Sequence, residues 1–287
     1  MKKLLILSGK GGTGKTTTAA AFIAFSNALA FADCDVDAPN LHIVTRMNAM
    51  PERSDFQGSQ KAVIDVQKCI GCGLCREHCR FDAIHPDGQH FTVDEYACEG
   101  CGVCEYVCPV GAAVLHDDVS GELELYRDTR VFSTAKLKMG RGNSGKLVTQ
   151  VKTALTNALP DTELQIIDGS PGIGCPVIAS VSGVDLVLVV AEPTLSGFSD
   201  MQRILKTAAI LGAKTAVCIN KYDTCIENTR AIETFCKENN IPYTGRIPYD
   251  KHVPEAINAG RSIADIDCPA KNALHTVYER TMAVLYQ

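Results

Sequence analysis

Short apolar runs and longer helical stretches alternate along most of this chain. Residues 4–7 form an apolar run that ends in glycines, the pattern of a buried strand. The leading Met1-Lys2-Lys3 and this run also resemble the start of a secretory signal, but the run is too short and passes into a glycine-rich loop. From residue 15 to about 29 the chain is Ala-rich and free of proline, which predicts a helix, and residues 29–33 predict a second strand. Further strands are expected over 164–167, 186–190 and 216–219, with helices over 197–211, 228–239 and about 270–286. Continuous apolar runs, rather than strict alternation, mark strands covered on both faces. The expected fold class is therefore α/β, a doubly wound and mostly parallel sheet.

The pattern breaks at about residue 60 and resumes after about 116. Glycine and cysteine dominate between, and the segment contains an internal repeat. Cys69, Cys72, Cys75 and Cys79 recur as Cys98, Cys101, Cys104 and Cys108, the last followed by Pro109. This is the C-x2-C-x2-C-x3-C spacing of bacterial two-cluster ferredoxins, in which the fourth cysteine of each run ligates the other cluster. On that reading Cys69, Cys72, Cys75 and Cys108 hold one [4Fe–4S] cluster, and Cys98, Cys101, Cys104 and Cys79 hold the second. Zinc prefers paired CxxC ligands and fits two three-plus-one runs poorly. Arg80 stands where the second run has Pro109, a departure that changes the surroundings of a cluster but removes no ligand. The expected organisation is a discontinuous α/β domain over 1–60 and 117–287, with a small α+β ferredoxin-type domain inserted over 61–116.

Gly9-Lys10-Gly11-Gly12-Thr13-Gly14-Lys15-Thr16 fits G-x-x-x-x-G-K-[ST] between a strand and a helix, and Thr17 follows. Its glycines let backbone N–H groups curl round phosphates at a helix N-terminus. Lys15 is placed to reach the β- and γ-phosphates, and Thr16 to ligate Mg²⁺. Asp168, after an apolar run, supplies the acidic partner that holds the metal, and Gly172 brings an N–H near a γ-phosphate.

A second lysine early in the loop, Lys10, gives this motif a resemblance to the deviant loop of the MinD/ParA family, which includes the nitrogenase iron protein and Mrp-type ATPases. The resemblance implies that ATP binding closes a dimer, with itself or with a close homologue, and that Lys10 reaches the partner's nucleotide. It further implies that Asp33-Cys34-Asp35 is a first switch, where Asp35 orients the attacking water and Asp33 supports Mg²⁺. Asp168 to Gly172 resembles the second switch. Asn220-Lys221-Tyr222-Asp223 resembles the base-binding segment. Alone it would suggest guanine through Asp223, but in this family Asn220 meets adenine, with Pro248 and its neighbours flanking the base. With the insert included, the chain resembles MinD-superfamily ATPases that carry an inserted ferredoxin domain.

Composition narrows these readings. The chain has 287 residues, no Trp and a net charge of -5, so a general basic footprint for nucleic acid or anionic membrane is missing. No apolar run approaches the ~20 residues of a spanning helix, and the C-terminal helix lacks a lysine-rich face. A cytoplasmic protein with reduced thiols, no nucleic-acid partner and no stable membrane anchor is expected. Of six cysteines outside the repeat, Cys175 stands out, since the nitrogenase iron protein is similar in placing a cluster-ligating cysteine at this offset; the others read as packed thiols. Residues 135–146 form a basic, glycine-rich stretch expected to be a loop. Three functions fit: an ATPase coupled to electron transfer in support of metal-cluster assembly, served by a redox or metal-cluster partner protein; an iron–sulfur carrier or assembly factor; and a regulatory or positioning switch. The all-cysteine ligand sets and the absent C-terminal CxxC pair favour the first.

Overall fold

The computed structural model describes residues 1–47 and 49–287. In chain order the first strands are β1 (Lys2–Leu7), β2 (Ala30–Asp33), β3 (Glu52–Gln57), β4 (Lys61–Ile64), β5 (Ile84–Asp87), β6 (His90–Val93) and β7 (Ala113–His116). They are followed by β8 (Val119–Arg127), β9 (Val131–Leu137), β10 (Leu164–Asp168), β11 (Leu186–Ala191), β12 (Lys214–Asn220) and β13 (Tyr243–Ile247). The chain divides into two compact units. One comprises residues 1–53, 123–136 and 144–287, the other residues 54–122 and 137–143.

The first unit is built on a sheet in which β13-β12-β11-β1-β10-β2-β9 follow one another in that order. From β13 to β9 each neighbouring pair runs parallel. Leu4, Leu5, Ile6 and Leu7 of β1 are all fully buried, so both faces of the central strand are covered. That burial is why the run is continuously apolar. The helix Lys15–Ser26 covers one face and packs on the helix Pro269–Tyr286, where Phe22 meets Tyr278 edge to face at 5.2 Å between ring centroids. The first helix stops three residues short of the expected 29, because Asn27 takes a left-handed conformation (φ 48°) and caps it. Along the chain, β10 inserts between β1 and β2, and β11 then pairs on the far side of β1. The carboxyl ends of β1 and β10 therefore flank the point where the winding reverses, where doubly wound sheets bind ligands.

Two features depart from the sequence reading. Residues 135–146 are not one loop: β9 runs to Leu137 and the helix Ser144–Ala158 begins seven residues later, leaving 138–143 as the connection. Its helix has Leu147, Val148, Val151 and Leu155 buried, the stripe of an amphipathic helix. Strands β8 and β9 form a hairpin that extends the sheet beyond β2.

Near the C-terminus, Asp250 joins two helices. Its carboxylate accepts from His252 N (3.0 Å) and His252 Nδ1 (2.7 Å) at the start of His252–Asn258, and from Ala270 N (3.1 Å) at the start of Pro269–Tyr286. Burial alone would raise its pKa, but these donors and Cys268 outweigh it and hold the carboxyl at about 2. A carboxyl depressed on folding contributes stability above its unfolded pKa of about 4 that is lost as the pH falls through about 2. Asp250→Asn should cost about 2 kcal/mol at neutral pH, and urea unfolding from pH 7 down to pH 2 should show the difference from wild type shrinking below about pH 4. A pH-independent difference would show that the charge is not what matters.

The second unit is a pseudo-symmetric pair of halves. β4 pairs antiparallel with β7, and β5 with β6. The two copies of the cysteine repeat keep a constant interval, so Lys61, Asp65 and Cys69 correspond to His90, Asp94 and Cys98. Matching hydrogen bonds follow. Asp65 N donates to Ala112 O at 2.8 Å and Asp94 N to Ala83 O at 2.7 Å; Cys69 N donates to Asp65 O and Cys98 N to Asp94 O, both at 2.9 Å. Gly71 (φ 68°) and Gly100 (φ 66°) occupy equivalent left-handed turns, where a Cβ would come within 2.5 Å of Gln89 O and 2.0 Å of Gln60 O. Only glycine fits such a conformation pressed against backbone.

Candidate functional site

The first unit opens into a cleft of about 570 Å³ at the carboxyl ends of its central strands. Register places Asp33, Asp168 and Ile6 side by side across β2, β10 and β1, so two carboxylates and the start of the glycine loop share one edge. Residues 10–17 line the cleft from below, with Asp35 and Asn220 at its sides. Gly14 (φ 91°) caps the helix Lys15–Ser26, and a Cβ there would meet Asn220 Nδ2 at 2.2 Å. That close approach lets Asn220 Nδ2 donate to Thr13 O at 2.7 Å.

The deepest cation is Lys15. Its ammonium is 2.7 Å from Asp168 Oδ1, with side chains 6% and 0% exposed, and the Thr16 hydroxyl donates to Asp168 Oδ2 at 2.6 Å. Burial lowers the Lys15 pKa, but the charge and hydrogen bond of Asp168, with help from Asp33 and Asp35, outweigh it and raise the value. Asp33 accepts from Asp35 N, Asn40 N and Leu41 N, each at 2.9 Å. Burial, and then the Asp168 charge, push its carboxyl up to about 7 despite those donors. Asp35 is also raised, by burial first, although Lys15 opposes the shift. Two crowded acids beside one buried lysine make a site with unmet demand for positive charge.

The remaining expected residues are distributed less uniformly. Lys10 is held in its own chain by Glu192 Oε2 at 2.9 Å and Thr194 Oγ1 at 3.3 Å. Gly172 N donates to Ser8 O at 3.2 Å, so its amide is engaged with the loop. Gly9, Gly172 and Pro248 do not line the cleft; Pro171 and Tyr249 stand there instead. Asp33 and Asp168 lie behind the surface formed by Lys15, Thr16 and Asp35. Asp223 accepts from Tyr249 N at 2.8 Å. Sequence reasoning missed Lys221 as a strut, its ammonium reaching Gly12 O at 2.9 Å and Glu192 Oε1 at 3.0 Å. It also missed the apolar wall of Ile43, Val253 and Ile257, for which the chain offers no motif.

In the second unit the cysteines surround two separate cavities. Cys79, Cys98, Cys101 and Cys104 line one together with Ala62, Ile84 and Leu115. Cys69, Cys72, Cys75 and Cys108 line the other together with Ile64, Phe91 and Ala113. Ala62 N donates to Cys98 Sγ at 3.4 Å and Ala112 N to Cys108 Sγ at 3.2 Å. Burial pushes the Cys75 and Cys104 thiols up. Among the described residues, no three His, Cys, Asp or Glu side chains converge on a position for a single ion. Outside the repeat, Cys34, Cys218, Cys236 and Cys268 are buried, while Cys175 is exposed at the start of the helix Cys175–Val181.

Residues 4–263 match the CobQ/CobB/MinD/ParA nucleotide binding domain. The chain belongs to this family. It is 32% identical to an uncharacterised protein of Methanocaldococcus jannaschii over 97% of its own length and 95% of that protein's. An uncharacterised ATP-binding protein of the same organism is 27% identical over 99% and 89%. Among solved structures, the cell division ATPase MinD of Pyrococcus furiosus superposes with a TM-score of 0.59 at 16% identity, covering 99% of both chains. MinD of Pyrococcus horikoshii complexed with Mg-ADP gives 0.57 at 17% identity, covering 97% of this chain and 94% of the other. At such identities the likeness is one of fold, and it is the fold of a CobQ/CobB/MinD/ParA nucleotide-binding domain. No helix among the described residues is long and apolar enough to cross a membrane.

Proposed function

We infer that this chain is an ATP-hydrolysing switch of the MinD/ParA kind. The observation that carries this reading is the Lys15–Asp168–Thr16 cluster at the floor of the cleft. It suits a phosphate site: Lys15 is placed to reach a γ-phosphate, and the Asp168 carboxylate and the Thr16 hydroxyl to hold Mg²⁺. When bound, Mg²⁺ supplies charge neutralisation at the phosphates, held by Thr16 with Asp33 and Asp168 behind it. Residues 11–14 cradle the phosphates through backbone N–H groups. Asp35 orients water, and Lys10 leaves Glu192 to reach the nucleotide of a dimer partner, either a second copy or a close homologue.

Adenine is favoured over guanine on two grounds. Asp223, the carboxylate that would read guanine, does not line the cleft, whereas Asn220 does. The names of relatives agree, one an ATP-binding protein and one solved neighbour, McdA of Cyanothece, in complex with ATP. A MinC:MinD complex among the structural neighbours supports action through a protein partner.

Light scattering with Mg-ATP should show a dimer that disperses after hydrolysis, with GTP ineffective. Lys10→Ala should still bind ATP but lose hydrolysis by about 10²–10³-fold, the scale of one lost transition-state donor. Wild-type turnover in that variant would make Lys10 an ordinary loop lysine.

A second reading is supported by the two cysteine-lined cavities. Four thiols around each, with apolar walls and a backbone donor to sulfur, fit a [4Fe–4S] cluster; a cubane's ligands each take a different iron, so they surround a volume rather than converge on a point. When bound, the clusters supply one-electron chemistry. This inserted unit then makes the switch redox-active, exchanging electrons with a redox or metal-cluster partner protein and supporting metal-cluster assembly. The sequence ranks that redox role first and the switch last; family and fold favour the switch, with the clusters as its passenger or sensor.

A further inference from the structure

The two halves of the second unit repeat each other closely but differ in the basic residue that stands beside the cysteine loops. Lys61, at the head of β4, is 7% exposed, and its ammonium donates to the carbonyl oxygen of Cys98. The next residue, Ala62, gives its N–H to Cys98 Sγ. In the other half this place is taken by His90 at the head of β6, which shares a groove with Cys69, Ile70 and Gly71. The buried Nδ1 of His90 has no hydrogen-bond partner. Backbone N–H groups reach sulfur in both halves, Ala62 N at Cys98 and Ala112 N at Cys108, with Val110, Gly111 and Ala113 also turned toward Cys108. The difference is a buried lysine ammonium on one side and an imidazole on the other.

We propose that Lys61 splits the reduction potentials of the two clusters, making the cluster held by Cys79, Cys98, Cys101 and Cys104 the higher-potential centre. This rests on the reading that both cavities hold [4Fe–4S] clusters. Reduction adds one electron to a [4Fe–4S]²⁺ cluster to give [4Fe–4S]⁺, supplied by an external one-electron donor, and no bond is made or broken. A cation fixed nearby stabilises the added negative charge, the more so away from water. Exposed charges are mixed: Arg76 flanks the first set, while Glu99 and Glu105 flank the second together with Arg80, which follows Cys79. Those face bulk water, where an effective dielectric about four times that near buried sites and screening within about 8 Å at physiological salt reduce their weight. The buried ammonium decides the order. The cluster held by Cys69, Cys72, Cys75 and Cys108 is left as the stronger reductant, so a single electron shared by the pair comes to rest on the Lys61 side.

The test is an EPR-monitored redox titration of the full chain, purified anaerobically, with dithionite as reductant. Iron and acid-labile sulfide are measured first; their absence would overturn the two-cluster reading itself. With clusters present, wild type should show two separated transitions. Lys61→Met should lower only the higher one, shifting its reduced-to-oxidised ratio at a fixed potential by about tenfold or more, which is about 59 mV for a one-electron couple. His90→Lys should raise the lower transition and close the gap, an arm that remains decisive where Lys61→Met fails to fold. Coincident transitions in wild type, or both transitions moving together in either variant, overturn the proposal while leaving the clusters standing.

Discussion

Lys15→Ala should abolish measurable ATP hydrolysis and, independently, lower the stability of the nucleotide-free protein by about 3 kcal/mol or more. The first effect follows from the loop: Lys15 is the cation placed to reach the β- and γ-phosphates. The second follows from burial. Asp168 is fully buried, and Lys15 at 2.7 Å is its counter-ion. Removing the lysine leaves a carboxylate that retains the Thr16 hydroxyl but no cation, with Asp33 adding like charge nearby. An unpaired buried charge costs far more than an intact pair returns. The double variant Lys15→Ala with Asp168→Asn should therefore recover most of the lost stability while remaining inactive. Urea unfolding of the four proteins gives the coupling directly. Additive losses would mean that the pair is not a buried unit, and residual turnover in Lys15→Ala would remove the loop from the phosphate site.

The parts of this protein legible in its sequence are those where one local rule decides. Residues 9–16 combine a strand end, a glycine turn and a helix start, and nothing distant is needed to make them a loop. Leu186–Ala191 is apolar throughout because it lies mid-sheet with both faces covered. The hairpin of β8 and β9 was harder to see. In β9, Ser133 breaks the apolar run, yet it is fully buried because its hydroxyl donates to Val151 O at 2.9 Å, a partner known only from the fold. In β8, the alternation of Leu123 and Leu125 with Glu122 and Glu124 was a usable period-two signal. The glycines of 135–146 drew attention to a loop and hid the strand before it. Within the cleft, the acids and lysines of the motifs were legible, but Lys221 as a strut and the wall from His252–Asn258 were not, since chain positions far apart carry no spacing rule. The fourth-cysteine crossover was read from the spacing shared with two-cluster ferredoxins and not from local geometry.

That crossover predicts an outcome that single substitutions cannot imitate. Cys79 belongs to the first repeat by sequence but lines the cavity of Cys98, Cys101 and Cys104, and Cys108 lines that of Cys69, Cys72 and Cys75. Cys79→Ser combined with Cys98→Ser strikes one cavity twice and should leave half of the wild-type iron, with one set of EPR signals intact. Cys79→Ser combined with Cys69→Ser strikes both cavities once, although both residues lie in one repeat, and should deplete both clusters. Serine is a close isostere but a poor soft ligand for iron–sulfur chemistry. If ligation followed the repeats instead, the two double variants would exchange behaviour: the pair within one repeat would keep half of the iron, and the pair across repeats would lose nearly all. Iron per chain, measured on protein reconstituted under identical anaerobic conditions, separates the two schemes without reference to ATP turnover. The same variants assign each redox transition to its cavity, because the signal that survives Cys79→Ser with Cys98→Ser is the one held by Cys69, Cys72, Cys75 and Cys108.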